Sequence, residues 1–173
     1  MSTVAEHPVW DVYDEYKAAR FNVRYYERQL DKLRRRNLLI ELVLALSASS
    51  VFVGLWFWET AVGGIIWKVL ATLAAFLAVY KPIVRLSDQV QQKSEILTSW
   101  RLLDDGLQQL VLSISQYRKY DDEMRNSFFT LMKTRTTIIQ KEPTEGVDDR
   151  LRNKCFEQVN KELPPDKFFV PEE

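Results

Sequence analysis

The N-terminal part of the chain carries an apolar repeat whose steps alternate between three and four residues. The repeat comprises Val9, Val12, Tyr16, Ala19, Val23, Tyr26, Leu30 and Leu33. It continues in phase at Asn37, Ile40, Leu44 and Ser47. Such steps align one apolar seam along an α-helix and are typical of a coiled coil. We therefore predict one unbroken helix from Pro8 to Trp58, whose seam packs either inside the chain or against other subunits.

Helical spacing returns after Pro82, a residue that permits a kink. The apolar seam that follows has polar interruptions at Lys93 and Asp104. Three consecutive acids that start at Asp121 indicate the first turn of another helix, so we expect the chain to fold back near Tyr120. No pattern in the sequence favours a β-strand, and the predicted fold class is all-α.

The charges balance overall, with 24 Lys and Arg against 24 Asp and Glu, but they are unevenly distributed. Residues 17–37 include eight basic and two acidic residues, whereas residues 142–173 include nine acidic and five basic ones. This acidic part contains a predicted short helix, Asp148–Glu162, followed by a loose tail. The chain has one histidine and one cysteine. The usual His/Cys zinc sites therefore lack ligands, and an intrachain disulfide cannot form. We therefore predict no catalytic residue, no metal, no cofactor and no enzymatic activity.

Two long apolar segments lie on either side of a short loop. The first, Leu38–Trp58, contains a single charge at Glu41, and the second runs from Ile65 to Tyr80. A helix of about 20 residues spans the ~30 Å of a hydrocarbon core. We therefore predict a transmembrane hairpin that carries a cytoplasmic helical bundle or coiled coil. The alternative is a buried helical hairpin in a soluble protein.

The predicted organisation has six segments. They are an N-terminal heptad helix (1–37), a first transmembrane helix (38–58), an outer loop (59–64), a second transmembrane helix (65–82), cytoplasmic helices (83–141), and an acidic C-terminal helix and tail (142–173). Basic residues are retained on the cytoplasmic side of membrane spans. Five residues would give this topology signal and contact lipid headgroups: Arg34, Arg35, Arg36, Lys81 and Arg85. The predicted location is the inner membrane, as a multi-pass protein with both termini in the cytoplasm.

The triple arginine has a second interpretation, as a patch that binds nucleotides or nucleic acid. No stacking aromatic residues interleave with the arginines, and the arginines abut the first apolar segment. We therefore favour contact with the lipid bilayer and predict no nucleic-acid partner.

Small residues in the apolar segments let helix backbones approach closely. Five of them are candidates for packing between subunits: Ser47, Ser50, Gly54, Ala71 and Ala75. The alternative is packing within one hairpin. Because the first segment has small residues on two faces, we predict a homo-oligomer.

Another face of the first segment suggests a pore. It comprises Glu41, Ala45, Ala48, Phe52 and Glu59. In a ring of subunits this face would place an acidic residue near each mouth, an arrangement that favours cations. The alternative is that Glu41 forms a structural pair with Lys81 or Arg85.

Three stretches carry a resemblance to a known family: YYERQLDKLRRRNLLIEL, WFWETAVGG and AVYKPIVRLSDQV. Over residues 10–115 the layout resembles the SLATT family of two-transmembrane proteins in bacterial conflict systems. The resemblance implies an oligomeric membrane effector that forms a pore and acts with a sensor or nucleotide-signalling partner in antiviral defence. It implies no catalytic residue. The alternative function is a membrane-anchored structural or adaptor protein that presents a helical interaction module.

Overall fold

The computed structural model describes residues 7–57, 69, 72–73, 75–76, 79, 86–142, 146 and 148–171, without the side chains of residues 46–57 and 86. All regular structure in these ranges is helical. Within these ranges, four α-helices have defined bounds: α1 (Val9–Phe57), α2 (Leu86–Tyr117), α3 (Asp122–Lys141) and α4 (Asp149–Glu162). A 3₁₀-helix, Pro165–Lys167, follows α4. The chain divides into two compact units, of which the first contains Met1–Gln29 and Lys93–Glu173 and the second Leu30–Gln92.

The first unit is a helical bundle in which the predicted seam of α1 forms part of the core. The seam residues of this unit are all buried: Val9, Val12, Tyr16, Ala19, Val23 and Tyr26. Leucines and isoleucines of α2 are buried in the same unit, at Ile96, Leu97, Leu103, Leu107, Leu110 and Ile114. The predicted long first helix is therefore present as α1, and its seam residues in this unit are buried within the chain's own fold.

The fold-back between α2 and α3 has a defined local chemistry. Arg118, with φ of 52°, turns the chain in the left-handed region just after α2. Asp121 then caps α3, because its Oδ1 accepts a hydrogen bond of 3.0 Å from the backbone N–H of Met124. Further along, α2 and α3 approach closely at Gly106, where an added Cβ would lie 2.7 Å from Cδ2 of Leu131. A residue without a side chain at this point lets the two helices pack together.

Helix α4 begins as the sequence predicts. Asp148 is its N-cap and accepts a 3.1 Å hydrogen bond from the backbone N–H of Leu151. The backbone N–H of Asp148 in turn donates to the hydroxyl of Tyr25 at 3.3 Å. The apolar side of the helix is buried at Leu151, Cys155 and Val159. One cap thus starts the helix and ties it to α1.

The substitution Asp148→Ala is expected to lower the free energy of unfolding by about 1 kcal/mol, since it leaves the backbone N–H of Leu151 without its acceptor. Urea unfolding followed by circular dichroism measures the change. Glu157→Ala, on the exposed side of the same helix, is the matched control and should shift the midpoint far less. Equal shifts in both variants would show that the cap contributes nothing.

The prediction of a transmembrane hairpin is wrong. Across the residues that the structure describes, none of the helices combines the length and the apolar character that crossing a membrane requires. The described side chains of the first predicted span are only those of residues 38–45, and they include the carboxylate of Glu41. A crossing needs about 20 successive apolar residues. The assignment to the inner membrane as a multi-pass protein fails with the spans.

The second unit contains the rest of the two predicted spans. Of residues 65–82, the structure describes six, all helical: Val69, Thr72, Leu73, Ala75, Phe76 and Val79. The predicted outer loop, residues 59–64, lies outside the described residues, as does the remainder of the second span. Within this unit, Leu30 and Ile40 of the α1 seam are buried.

Candidate functional site

Two residues of the predicted pore face, Glu41 and Ala45, have described side chains, and the assignment of this face to a pore stays a prediction. Glu41 is exposed, and its Oε1 accepts a 3.0 Å hydrogen bond from Nδ2 of Asn37 one turn before it. Ala45 is exposed as well. Ala48 and Phe52 lie in α1, but their side chains are outside the described residues, as is Glu59.

The other predicted site residues are described only in part. Ser47, Ser50 and Gly54 belong to α1, in the part of the helix where only the backbone is described. Ala75 is helical and exposed. Ala71, Lys81 and Arg85 are outside the described residues, so the pairing of Glu41 with either cation and the packing between subunits stay predictions.

The triple arginine leads into a surface that the sequence analysis did not recognise. Arg34, Arg35 and Arg36 are all exposed on α1. Beyond them Leu38, Leu39 and Leu42 are 62%, 60% and 52% exposed. We call these six residues the arginine–leucine face. Large aliphatic side chains that lie together in water are typical of an interaction surface.

The spacing within this face forms a second heptad stripe. Arg35, Leu38, Leu42 and Ala45 follow one another in steps of three, four and three. Residues at such steps share one side of a helix. The first seam, which contains the buried Ile40, occupies the other side. Helix α1 therefore presents one apolar stripe to its own fold and a second one to the surroundings.

The same unit exposes a further apolar series. Val69, Leu73, Phe76 and Val79 are all well exposed, and three of them line an open depression of about 530 Å³ together with Thr72. Burying such side chains is favourable by about 25 cal/mol for each Å² removed from water. The second unit thus exposes a second group of large apolar side chains.

The first unit instead buries its polar groups in pairs. Lys93 and Asp104, the two polar interruptions of the α2 seam, are both buried. Nζ of Lys93 donates to Oε1 of Gln29 at 2.7 Å, and Oδ1 of Asp104 lies 3.2 Å from Nε of Arg20. Burial raises the pKa of Asp104 to about 6, and the charge of Arg20 opposes that rise. These pairs fix the register of α2 against α1.

Most of the basic residues that precede the triple arginine also have partners inside the chain. Arg20 donates from Nη2 to the hydroxyl of Tyr16 at 2.9 Å. One and two turns later, Arg24 forms an ion pair of 2.5 Å with Glu162, and Nη2 of Arg28 donates to Gln158 at 2.5 Å. The basic stretch of the sequence therefore serves two purposes, because its first part joins α1 to α4 and its last part is exposed.

An open groove between α2 and α3 has a volume of about 640 Å³. Its walls include the hydroxyls of Ser113 and Ser127, which donate to backbone carbonyls of their own helices at 2.9 and 3.0 Å. At one end of the groove, Lys119 and Asp121 form an ion pair of 2.6 Å. Because these polar groups already have partners in the protein, the groove offers a ligand few strong contacts.

The described residues define a helical protein with a bundled unit and an exposed second heptad stripe. Comparison with protein-family models, with curated proteins and with solved structures found no match. The resemblance to the SLATT family therefore stays a prediction that rests on the quoted stretches alone.

Proposed function

We propose that this chain is a helical adaptor protein that docks an acidic amphipathic helix of a partner on the arginine–leucine face. The observation that carries the proposal is the exposure of three leucines next to three exposed arginines on one helix. A helix with leucines at the same heptad steps would cover the stripe.

The charge of the face supports an acidic partner over a neutral or a basic one. Three successive arginines create a local positive field, although the whole chain has a formal net charge of zero. Opposite charges across an interface speed association and exclude partners of the wrong sign, whereas the apolar contacts supply most of the affinity. The leucines therefore determine how tightly a helix binds, and the arginines determine which helix binds.

A pore requires membrane spans, and the predicted spans are not supported in the described residues. Self-association, and a sensor or nucleotide-signalling protein as partner in a bacterial defence system, stay predictions. Either could supply the docked helix, and the native mass of the purified chain tests the first directly.

Binding of a designed helical peptide tests the proposal. The probe carries leucines at heptad positions and glutamates on the flanks, with a lysine version of the same peptide for comparison. The parent chain should bind the glutamate peptide, and added salt should weaken that binding. Leu38→Ser and Leu42→Ser should each reduce affinity at least tenfold, since a buried leucine contributes about 1.5–3 kcal/mol.

Leu102→Ser is the matched control, because Leu102 is 68% exposed on α2 in the other unit. This variant should bind the glutamate peptide like the parent. Equal binding of the lysine peptide would contradict the charge argument. Unchanged binding by the Leu38 and Leu42 variants would remove the face itself as the docking site.

A further inference from the structure

The segment that follows α4 is ordered against the first unit, although the sequence predicts a loose tail. Helix α4 ends at Glu162, and Pro164 and Pro165 lead into the 3₁₀-helix. Nζ of Lys167 donates to the carbonyl oxygen of Glu162 at 2.8 Å, which folds the segment back. Residues 168–170 are half-buried, and Pro171 is buried. We call residues 163–171 the strap.

Two aromatic residues attach the strap to α1 and to the turn after α2. The ring of Phe168 stacks on Tyr13 with 4.2 Å between centroids and 18° between planes. Nζ of Lys17 lies 5.1 Å from the centroid of the Phe168 ring. The guanidinium of Arg118 lies 5.7 Å from the centroid of the Phe169 ring. Each ring of the strap therefore meets one cation, and the first also meets an aromatic face.

The remaining contact is made to the backbone of the strap. The hydroxyl of Tyr13 donates a hydrogen bond to the carbonyl oxygen of Phe169. Tyr13 itself is fully buried, and this burial raises its pKa to about 12, so the phenol remains a donor at physiological pH. Since every peptide has such a carbonyl, this bond accepts any sequence, whereas the rings provide the selectivity.

We propose that Tyr13, Lys17 and Arg118 form a peptide-docking site that the strap occupies in cis, and that a partner segment with two adjacent aromatic residues followed by valine and proline displaces the strap. The strap itself shows what chemistry the site accepts. It starts after the last residue of α4 and contains two prolines near its beginning, so it can leave the site without breaking α4. This site belongs to the first unit and does not depend on the proposed function.

The strap competes with any partner at the high effective concentration of a tethered ligand. A partner that presents the same residues on a separate chain therefore binds weakly until the strap is weakened or held elsewhere. The strap thus acts as a built-in competitor, and its removal from the site exposes the aromatic and cationic contacts together.

The test uses a labelled peptide with the sequence LPPDKFFVPEE, which corresponds to residues 163–173. Fluorescence anisotropy compares the full-length parent with the full-length double variant Phe168→Ala/Phe169→Ala. The double variant should bind the peptide at least tenfold more tightly than the parent, because its own strap no longer fills the site. The peptide LPPDKAAVPEE should bind neither protein.

Two further substitutions in the double variant separate recognition from folding. Tyr13→Phe keeps the ring and removes only the hydroxyl that meets the strap carbonyl, and Lys17→Gln removes the cation over the first ring. Each should lower peptide affinity several-fold while the circular dichroism spectrum and the melting temperature stay close to those of the double variant.

Three results would overturn the proposal. The first is equal binding of the peptide by the parent and the double variant. The second is no binding by a double variant that is folded by circular dichroism. The third is a parent dimer that disappears in the double variant, because the strap would then occupy the site of a second copy instead of yielding to a separate partner.

Discussion

Replacement of Trp100 by alanine is expected to lower the free energy of unfolding by about 3–5 kcal/mol. Trp100 lies in α2 and is only 2% exposed, so its removal leaves a large cavity in the core of the first unit. The indole also donates from Nε1 to Oε1 of Glu142 at 2.9 Å, at the C-cap of α3. The substitution therefore removes apolar burial and a link between two helices at once.

Chemical unfolding of the purified chain measures this loss. Leu102→Ala is the control, since Leu102 lies on the same helix but is largely exposed. That variant should stay within about 0.5 kcal/mol of the parent. Trp100→Phe should fall between the two, because it keeps most of the apolar volume without the indole N–H. A loss below about 1 kcal/mol for Trp100→Ala would contradict the packing described for this unit.

The second large effect concerns the pair of Arg20 and Asp104. Arg20→Met is expected to cost about 3–5 kcal/mol at pH 8, since it leaves an ionised carboxylate buried without its nearest cation. At pH 4 the cost should be much smaller, because Asp104 is then mostly protonated and needs no counter-charge. The double variant Arg20→Met/Asp104→Asn should recover part of the loss at pH 8 by removing both charges.

The parent should already show the pH dependence of Asp104. Burial raises its pKa from 3.8 to about 6 in the fold. The folded chain therefore holds this proton more tightly than the unfolded chain does. The resulting stability is present below pH 3.8 and is lost as the pH rises through about 6, and the difference corresponds to roughly 3 kcal/mol.

The charged groups around this carboxylate come from α1 and from its own helix, α2. Arg20 and Arg24 of α1 favour its ionised form, whereas Glu27 of α1 and Asp105 of α2 oppose it. Asp104→Asn should therefore gain stability relative to the parent as the pH rises from 4 to 7. Asp105→Asn is the matched control, since Asp105 is the exposed neighbour on the same helix. A parent-minus-variant difference that does not change with pH would show that Asp104 keeps its ordinary pKa.

The proposed adaptor function and the strap involve different parts of the chain. The arginine–leucine face belongs to the second unit, and the strap site belongs to the first. Buried pairs such as Arg20 with Asp104 stabilise the first unit. Substitutions of these pairs or of the strap leave the leucines of the arginine–leucine face unchanged. Variants of one site therefore serve as controls for the other.

The sequence alone was sufficient for the helices because their signals are local. The alternating repeat predicted one long first helix, and α1 extends over Val9–Phe57. Asp121 and Asp148 were placed at helix starts, and both accept the expected backbone hydrogen bonds. An apolar seam, an N-cap and a helix stop each depend on residues that lie within one or two turns of each other. Such signals can be read directly from the sequence.

The membrane prediction was wrong for a related reason. It counted apolar residues along the chain, and that count does not distinguish a helix that crosses a bilayer from one that exposes a second stripe for a partner. The described part of the first segment has a buried seam residue, Ile40, and exposed leucines on the opposite side. Only the positions of neighbouring elements separate these two sides of the helix.

Tertiary structure also decided which distant residues meet. The sequence marked Lys93 and Asp104 as polar breaks in an apolar seam, but Gln29, the partner of Lys93, is 64 residues away. The strap was predicted as a loose tail, yet Phe169 accepts a hydrogen bond from Tyr13 across 156 residues. A pattern in one segment shows that a group needs a partner, and packing of the whole chain selects that partner, because burial makes an unpaired polar group costly.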